Sequence, residues 1–183
     1  LFFLEKKCDI VVLECGMGGL EDATNVISTS VMEVFAHIAM DHMQFLGDSL
    51  EKIAANKAGI IKEDTKVVST IQEEAAERVL SNRCKELGIT FDILREEEIS
   101  RVKYSLQGQS FLLDGEMYKT PLLGKHQIEN AALAIKAIKL FKETKAYDGK
   151  KPVSEDKIKA GLLNTVWVGR FQIISKKPLF VID

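Results

Sequence analysis

Glu14 closes the apolar run CDIVVLEC (8–15), and His42 follows the run EVFAHIAM (33–40) within MDH. If both runs are strands of an open parallel sheet, both side chains reach the crevice beyond the carboxyl ends, where such sheets bind ligands. A carboxylate and an imidazole there form the start of a metal site. The same two residues also read as a loop cap and the first residue of a turn. Lys57 poses a third question, because it sits among small neighbours, Ala55, Ala58 and Gly59. If that face is packed, the amine loses solvent, and burial disfavours its charged form. A neutral amine combines with carbon dioxide to give a carbamate, an anionic oxygen ligand suited to a hard cation such as magnesium. The alternative is a lysine whose stem lies on the surface while its head reaches water.

The other candidates belong to ligand recognition. GMGGLEDATN (16–25) supplies glycines that allow close backbone approach, then Glu21, Asp22 and Ala23. It lacks the G-K-[ST] ending of a phosphate loop, and a tight turn is its alternative reading. Asn130, near the start of a helical segment, carries an amide that can donate and accept at a purine edge, or cap locally. Arg170 in VGRF offers the planar fork that suits phosphate, and Asp183 ends FVID where it could meet a ribose. A surface ion pair and a loop cap are the alternatives for these two.

Positioning such residues requires alternating strands and helices. Strands are expected at 8–15, 33–40, 65–70 and 89–94. A helix is expected over 48–62, capped by Asp48 with Glu51 three residues on, and another over 72–88 ending at Gly88. This pattern predicts an α/β fold, a mostly parallel sheet flanked by helices. From about 101 to 123 the period shifts to two around G-Q and D-G, which predicts a small antiparallel addition. Helices at 126–145 and 154–164 follow, then a last pair of strands at 169–175 and 178–183.

Composition bounds the remaining choices. Of 183 residues, 46% are apolar and 28% charged, with a net charge of −2. That is a globular balance, with no sign of a general nucleic-acid or membrane-surface binder. No apolar run approaches the roughly 20 residues of a membrane span. The three cysteines, Cys8, Cys15 and Cys84, form no C-x-x-C pair, which points to a reducing, cytoplasmic setting. The chain starts at Leu1 without methionine and stops in KPLFVID, as though a buried strand had been cut. It reads as a piece of a longer protein.

Taken in order, DIVVLECGMGG–DATN, MDHMQFLGDSLEKIA–NKAGIIK, LLGKHQIENAALA and WVGRFQIISKKPLFVID resemble the folylpolyglutamate synthase and dihydrofolate synthase family of the Mur ligase superfamily. The resemblance implies an ATP- and magnesium-dependent ligase that joins L-glutamate to dihydropteroate or a folate through an acyl phosphate. It implies Glu14 and His42 as magnesium ligands, Lys57 as a carbamylated lysine, Glu21, Asp22 and Ala23 as pterin contacts, and Asn130, Arg170 and Asp183 as ATP contacts. It makes residues 1–183 part of the central ATP-binding domain of a monomeric enzyme. The family's phosphate loop is then expected before residue 1 and its C-terminal domain after residue 183, so the piece alone is expected to be inactive. The chain departs from the family at Leu20 and Glu21, where GGRLDATN is usual, at Asn56 before Lys57, at Val168, and at Ala36 and His37, where hydroxyl residues are common. The altered loop keeps open a ligase acting on a peptidoglycan precursor. A catalytically silent nucleotide-binding domain is the reading from a different class.

Overall fold

In the computed structural model, residues 2–41, 43–149 and 151–183 are described. The centre is a parallel sheet in the order β1-β2-β3, with β1 at Met32–Phe35, β2 at Lys66–Thr70 and β3 at Phe91–Leu94. Val34 pairs with Val68 in β2, and Val67 pairs with Phe91. Short helices α1 (Phe2–Glu5) and α2 (Met43–Leu46) precede the two long crossovers. The first crossover is α3 (Leu50–Ala58), which buries Leu50, Ile53, Ala54 and Ala58 along one stripe. The second is α4 (Glu74–Glu86), which buries Ala76, Leu80 and Cys84 at four-residue spacing and stops before Gly88, whose φ is +66°.

The two valines of β2 show how the sheet is covered. Adjacent strand residues point to opposite faces. Val67 joins the core formed with Ile53, Ala54, Ala76 and Leu80, while Val68 joins a second core with Ile128, Ala132 and Ile135. Helices α3 and α4 thus cover one face, and α5 (Lys125–Phe141) covers the other. This is the α/β arrangement expected from the alternation of elements.

The antiparallel addition is a three-stranded meander: β4 (Ile99–Ser105), β5 (Gly108–Leu113) and β6 (Glu116–Thr120). The D-G turn forms as expected, with Asp114 and Gly115 at φ of 52° and 80°. Gly108 instead opens β5, so the other turn falls on Leu106 and Gln107. Phe111 stacks on Tyr118, with ring centroids 5.7 Å apart. The Tyr118 hydroxyl donates to Glu155 in α6 (Glu155–Leu163), and Lys159 pairs with Glu116 at 2.6 Å, fixing that helix on the meander. Burial and the neighbouring Glu155 carboxylate push the Tyr118 hydroxyl far above its ordinary pKa.

Four expectations are corrected. Residues 8–15 form no strand: Ile10, Val11, Val12 and Leu13 are exposed, Val12 at 90%. A run that is apolar on both faces becomes a buried strand only where a neighbouring strand and covering helices meet it. The second strand is shorter than 33–40, since residues 36–40 leave the ladder although Ile38 stays buried. Helix α3 is capped by Ser49, which has the extended backbone a cap requires and accepts from the Lys52 amide at 3.4 Å. Asp48 instead pairs with the Lys52 amine at 2.7 Å. Last, β7 (Gln172–Lys176) and β8 (Leu179–Ile182) do pair, but β8 is exposed along its whole length rather than buried.

Candidate functional site

The glycine loop is fastened to the C-terminal end of α3. The Leu20 amide donates to the Asn56 carbonyl at 2.9 Å. The Asn25 amide donates to the Leu20 carbonyl at 2.9 Å and to the Gly59 carbonyl at 3.4 Å. Gly19 lies so close to the helix that a Cβ there would stand 2.8 Å from the Lys57 carbonyl oxygen and 2.9 Å from that of Asn56. Only glycine permits such an approach. The structure therefore brings the loop carrying Glu21, Asp22 and Ala23 against the helical turn carrying Lys57.

Within the loop, Asp22 is occupied with shaping the backbone. Its carboxylate accepts from the Thr24 hydroxyl at 2.6 Å, the Thr24 amide at 2.9 Å and the Met17 amide at 3.0 Å. Hydrogen bonding from Thr24, then from Met17, holds this carboxyl down at about 2. It also caps the short 3-10 turn Ala23–Val26. Glu21 and Ala23 stay exposed on either side, so they are the side chains the loop presents. Cys15 lies 3.5 Å from the Thr24 hydroxyl, which leaves exposed Glu14 at the entrance to the loop. Lys57 is half-buried, less enclosed than its small neighbours suggested. His42 lies outside the described residues.

Beyond the carboxyl ends of the parallel strands is a cavity of about 490 Å³. His37 follows β1, Gln72 and Glu73 follow β2, Arg95 and Glu96 follow β3, and Lys125 and Glu129 come from the first turns of α5. Parallel-sheet topology puts ligands at this edge. Gln72 was not singled out from the sequence. It is 8% exposed, and its carboxamide accepts from the Ile38 amide at 2.8 Å and donates to the Ala36 carbonyl at 2.9 Å. A polar residue directly after an apolar strand was the available signal, but nothing in the sequence shows which backbone it reaches.

The three expected nucleotide contacts are not gathered at that cavity. Asn130 is half-buried in α5. Arg170 lies with its guanidinium 5.2 Å from the centre of the Trp167 ring and helps to line a separate cavity of about 350 Å³, between the Pro121–Leu123 stretch and β7. Asp183 accepts from the Phe171 amide at 3.1 Å, which places it at the base of the same hairpin as Arg170. Gln109, also missed, is 4% exposed and donates to the carbonyls of Leu122 and Gly124 at 2.7 and 2.9 Å. It thereby fixes the approach to α5. The signal was parity, since Gln109 alternates with Phe111 and Leu113 and so shares the buried face of β5.

Among the described residues no group of three or more His, Cys, Asp and Glu side chains could hold a metal ion. Magnesium is ordinarily held by one or two carboxylates together with phosphate oxygens and water, not by a closed protein cage. Exposed Glu14, a hard oxygen donor at the mouth of the glycine loop, fits a partial site of that kind.

Comparison with known proteins places these features in context. The model of one family, the Mur ligase middle domain, matches residues 1–138. Dihydrofolate synthase/folylpolyglutamate synthase of Bacillus subtilis is 33% identical over an alignment covering 100% of this chain and 43% of the relative. Folylpolyglutamate synthase of Lacticaseibacillus casei is 34% identical, again over 100% of this chain and 43% of its own length. A solved FPGS–AMPPCP–folate complex superposes with a TM-score of 0.89 at 30% identity, covering 100% of this chain and 45% of the other. The Mycobacterium tuberculosis folylpolyglutamate synthase complexed with ADP and AMPPCP gives 0.84 at 30% identity, covering 100% of this chain and 42% of the other. The chain spans less than half the length of these relatives.

Proposed function

The chain belongs to the Mur ligase family through its middle domain, and from that premise we propose that it is part of the ATP-using domain of a cytoplasmic, monomeric folate ligase. The proposed reaction adds L-glutamate to dihydropteroate or to a folate. The observation that carries this reading is the likeness, across the whole chain, to folylpolyglutamate and dihydrofolate synthases in sequence and in backbone. Support for a reducing setting comes from the free thiols of Cys8, Cys15 and Cys84, and no helix among the described residues is long and apolar enough to cross a membrane.

A carboxylate is a poor acyl donor until it carries a leaving group. In the proposed reaction the substrate carboxylate gains the terminal phosphoryl group of ATP, and the glutamate amine then attacks the acyl carbon and displaces phosphate. The chain's share of this work is positioning. Glu21 and Ala23 project from the glycine loop and are the proposed pterin contacts, while Asp22 keeps that loop in shape. The Asn130 amide is proposed to read the purine edge, Arg170 to hold a phosphate and Asp183 to accept from the ribose. Glu14 and His42 would hold magnesium, and Lys57, as its carbamate, would supply a further anionic oxygen donor. Magnesium, when bound, neutralises charge during phosphoryl transfer.

The test is phosphate release by the full-length protein, assayed with dihydropteroate, tetrahydrofolate and a muramyl peptide precursor in turn. Release that requires both L-glutamate and a pterin substrate is expected. Release that requires the muramyl precursor, or that ignores all three acceptors, would overturn the reading. The chain of residues 1–183 alone is expected to release none, because it represents 43% of the length of its ligase relatives.

A further inference from the structure

We propose that Trp167 and Gln172 are positioning residues that hold Arg170 ready for the nucleotide phosphate, Trp167 through the guanidinium and Gln172 through the backbone beside it. This rests on the reading of Arg170 as a phosphate contact. Arg170 is exposed, and among the described residues its guanidinium has neither a hydrogen bond nor an ion pair. It lies instead over the Trp167 ring, 5.2 Å from the ring centre, within the range of a cation–π contact. That contact uses the face of the indole and spends none of the N–H donors, so the planar fork that suits phosphate stays open. Trp167, Arg170 and Phe171 all line the cavity of about 350 Å³, together with Pro121, Leu122 and Leu123.

The backbone under Arg170 is tied on both sides. The Gly169 amide donates to Gln172 Oε1 at 3.0 Å, and the Phe171 amide donates to Asp183 Oδ1 at 3.1 Å. Gln172 pairs with Ile182 across the β7–β8 ladder, so Gln172 and Asp183 act from the same open end of the hairpin. Between them the turn takes an unfavourable shape, with φ of 76° at Gly169 and 44° at Phe171. A phenylalanine stays left-handed only where its surroundings hold it, and such strain collects at ligand sites. A free surface arginine loses rotamer freedom when it grips a phosphate. One already stacked on a ring and set on a tied turn loses less. Trp167 and Gln172 therefore add to nucleotide affinity without touching the nucleotide.

The test is a set of double-mutant cycles in the full-length protein, read by calorimetry with AMPPCP and magnesium. Arg170→Ala is expected to weaken AMPPCP binding about 10- to 100-fold, through loss of hydrogen bonds to a charged partner. Trp167→Leu should weaken it about 2- to 5-fold, and Trp167→Phe, which keeps an aromatic face, should recover most of that. Gln172→Leu, which removes the acceptor for Gly169, should weaken it about 2- to 10-fold. Repeated in Arg170→Ala, both leucine substitutions should change affinity less than about 1.5-fold, because a residue acting through Arg170 has nothing left to act on. A general loosening of the fold would not vanish in that background. Trp167 is 48% exposed, so its replacement opens no core cavity, and the Trp167 cycle decides if Gln172→Leu does not fold. Losses that persist undiminished in Arg170→Ala overturn the proposal. Wild-type affinity in either leucine variant, while Arg170→Ala is weakened, overturns that residue's positioning role alone. Wild-type affinity in Arg170→Ala, or no AMPPCP binding by the wild type, overturns the phosphate reading, and the proposal with it.

Discussion

Strand β2 and residues 9–14 are written in nearly the same language and end in opposite environments. KVVST and DIVVLE both read as short strands apolar on both faces. In β2 every residue from Val67 to Thr70 is buried, with a strand on each side and a helical core on each face. Residues 9–14 lie exposed and outside every ladder among the described residues. The difference teaches that an apolar run states a capacity for burial, and that covering elements decide whether the capacity is used. The hairpin β7–β8 repeats the lesson, because its strands pair with each other yet Leu179 and Phe180 remain more than half exposed.

The sharpest test of this comparison sets one substitution in each region. Leu80→Ala removes a fully buried side chain from the core against β2 and is expected to cost about 2–5 kcal/mol in urea unfolding. Val12→Ser should change stability by less than about 0.5 kcal/mol. Equal losses would break the comparison, since they would mean residues 9–14 are covered in solution. Gly19→Ala probes the boundary between the regions, where the loop after residues 9–14 meets α3. The close approach to the Lys57 carbonyl predicts a loss of about 1–3 kcal/mol, and in the full-length protein a higher KM for the pterin substrate.

Two titrations sharpen it further. Asp22 is held down at about 2 from an ordinary 3.8, so its contribution is complete above the ordinary value and lost as pH falls from there towards 2. Asp22→Asn should flatten that acid limb of the thermal stability profile. Glu33 behaves in the opposite sense. Burial raises its carboxyl pKa, against the hydrogen bond it accepts from Ser30, so the folded state prefers the neutral form. That preference favours folding at low pH and is lost as pH rises through the folded value. Glu33→Gln should therefore gain on wild type, slightly, between pH 4 and neutrality. A larger gain at pH 4 than at pH 7 would contradict the sign.

Two backbone features were legible because their chemistry is local. The glycine pair before Leu20 announces close approach, and Gly19 makes it; the D-G of Asp114 and Gly115 announces a hairpin turn, and one forms. Gln72 and Gln109 were not legible. Both act on backbone far along the chain, Gln72 on residues 36 and 38 and Gln109 on residues 122 and 124, and no sequence spacing reports such partners. Asp22 was singled out from the sequence as an expected pterin contact, but its commitment to Thr24 and Met17 was not legible there.

The sequence by itself determined which segments become helices and strands in the centre of the molecule, since periodicity, caps and turn residues act within a few positions. It also carried the order of motifs that marks a Mur ligase. Only the tertiary structure decided which apolar runs are covered, which side of the sheet each helix takes, and which carboxamide holds the chain leaving β1. Those outcomes depend on contacts between residues remote in sequence, where burial and hydrogen bonding are satisfied jointly or not at all.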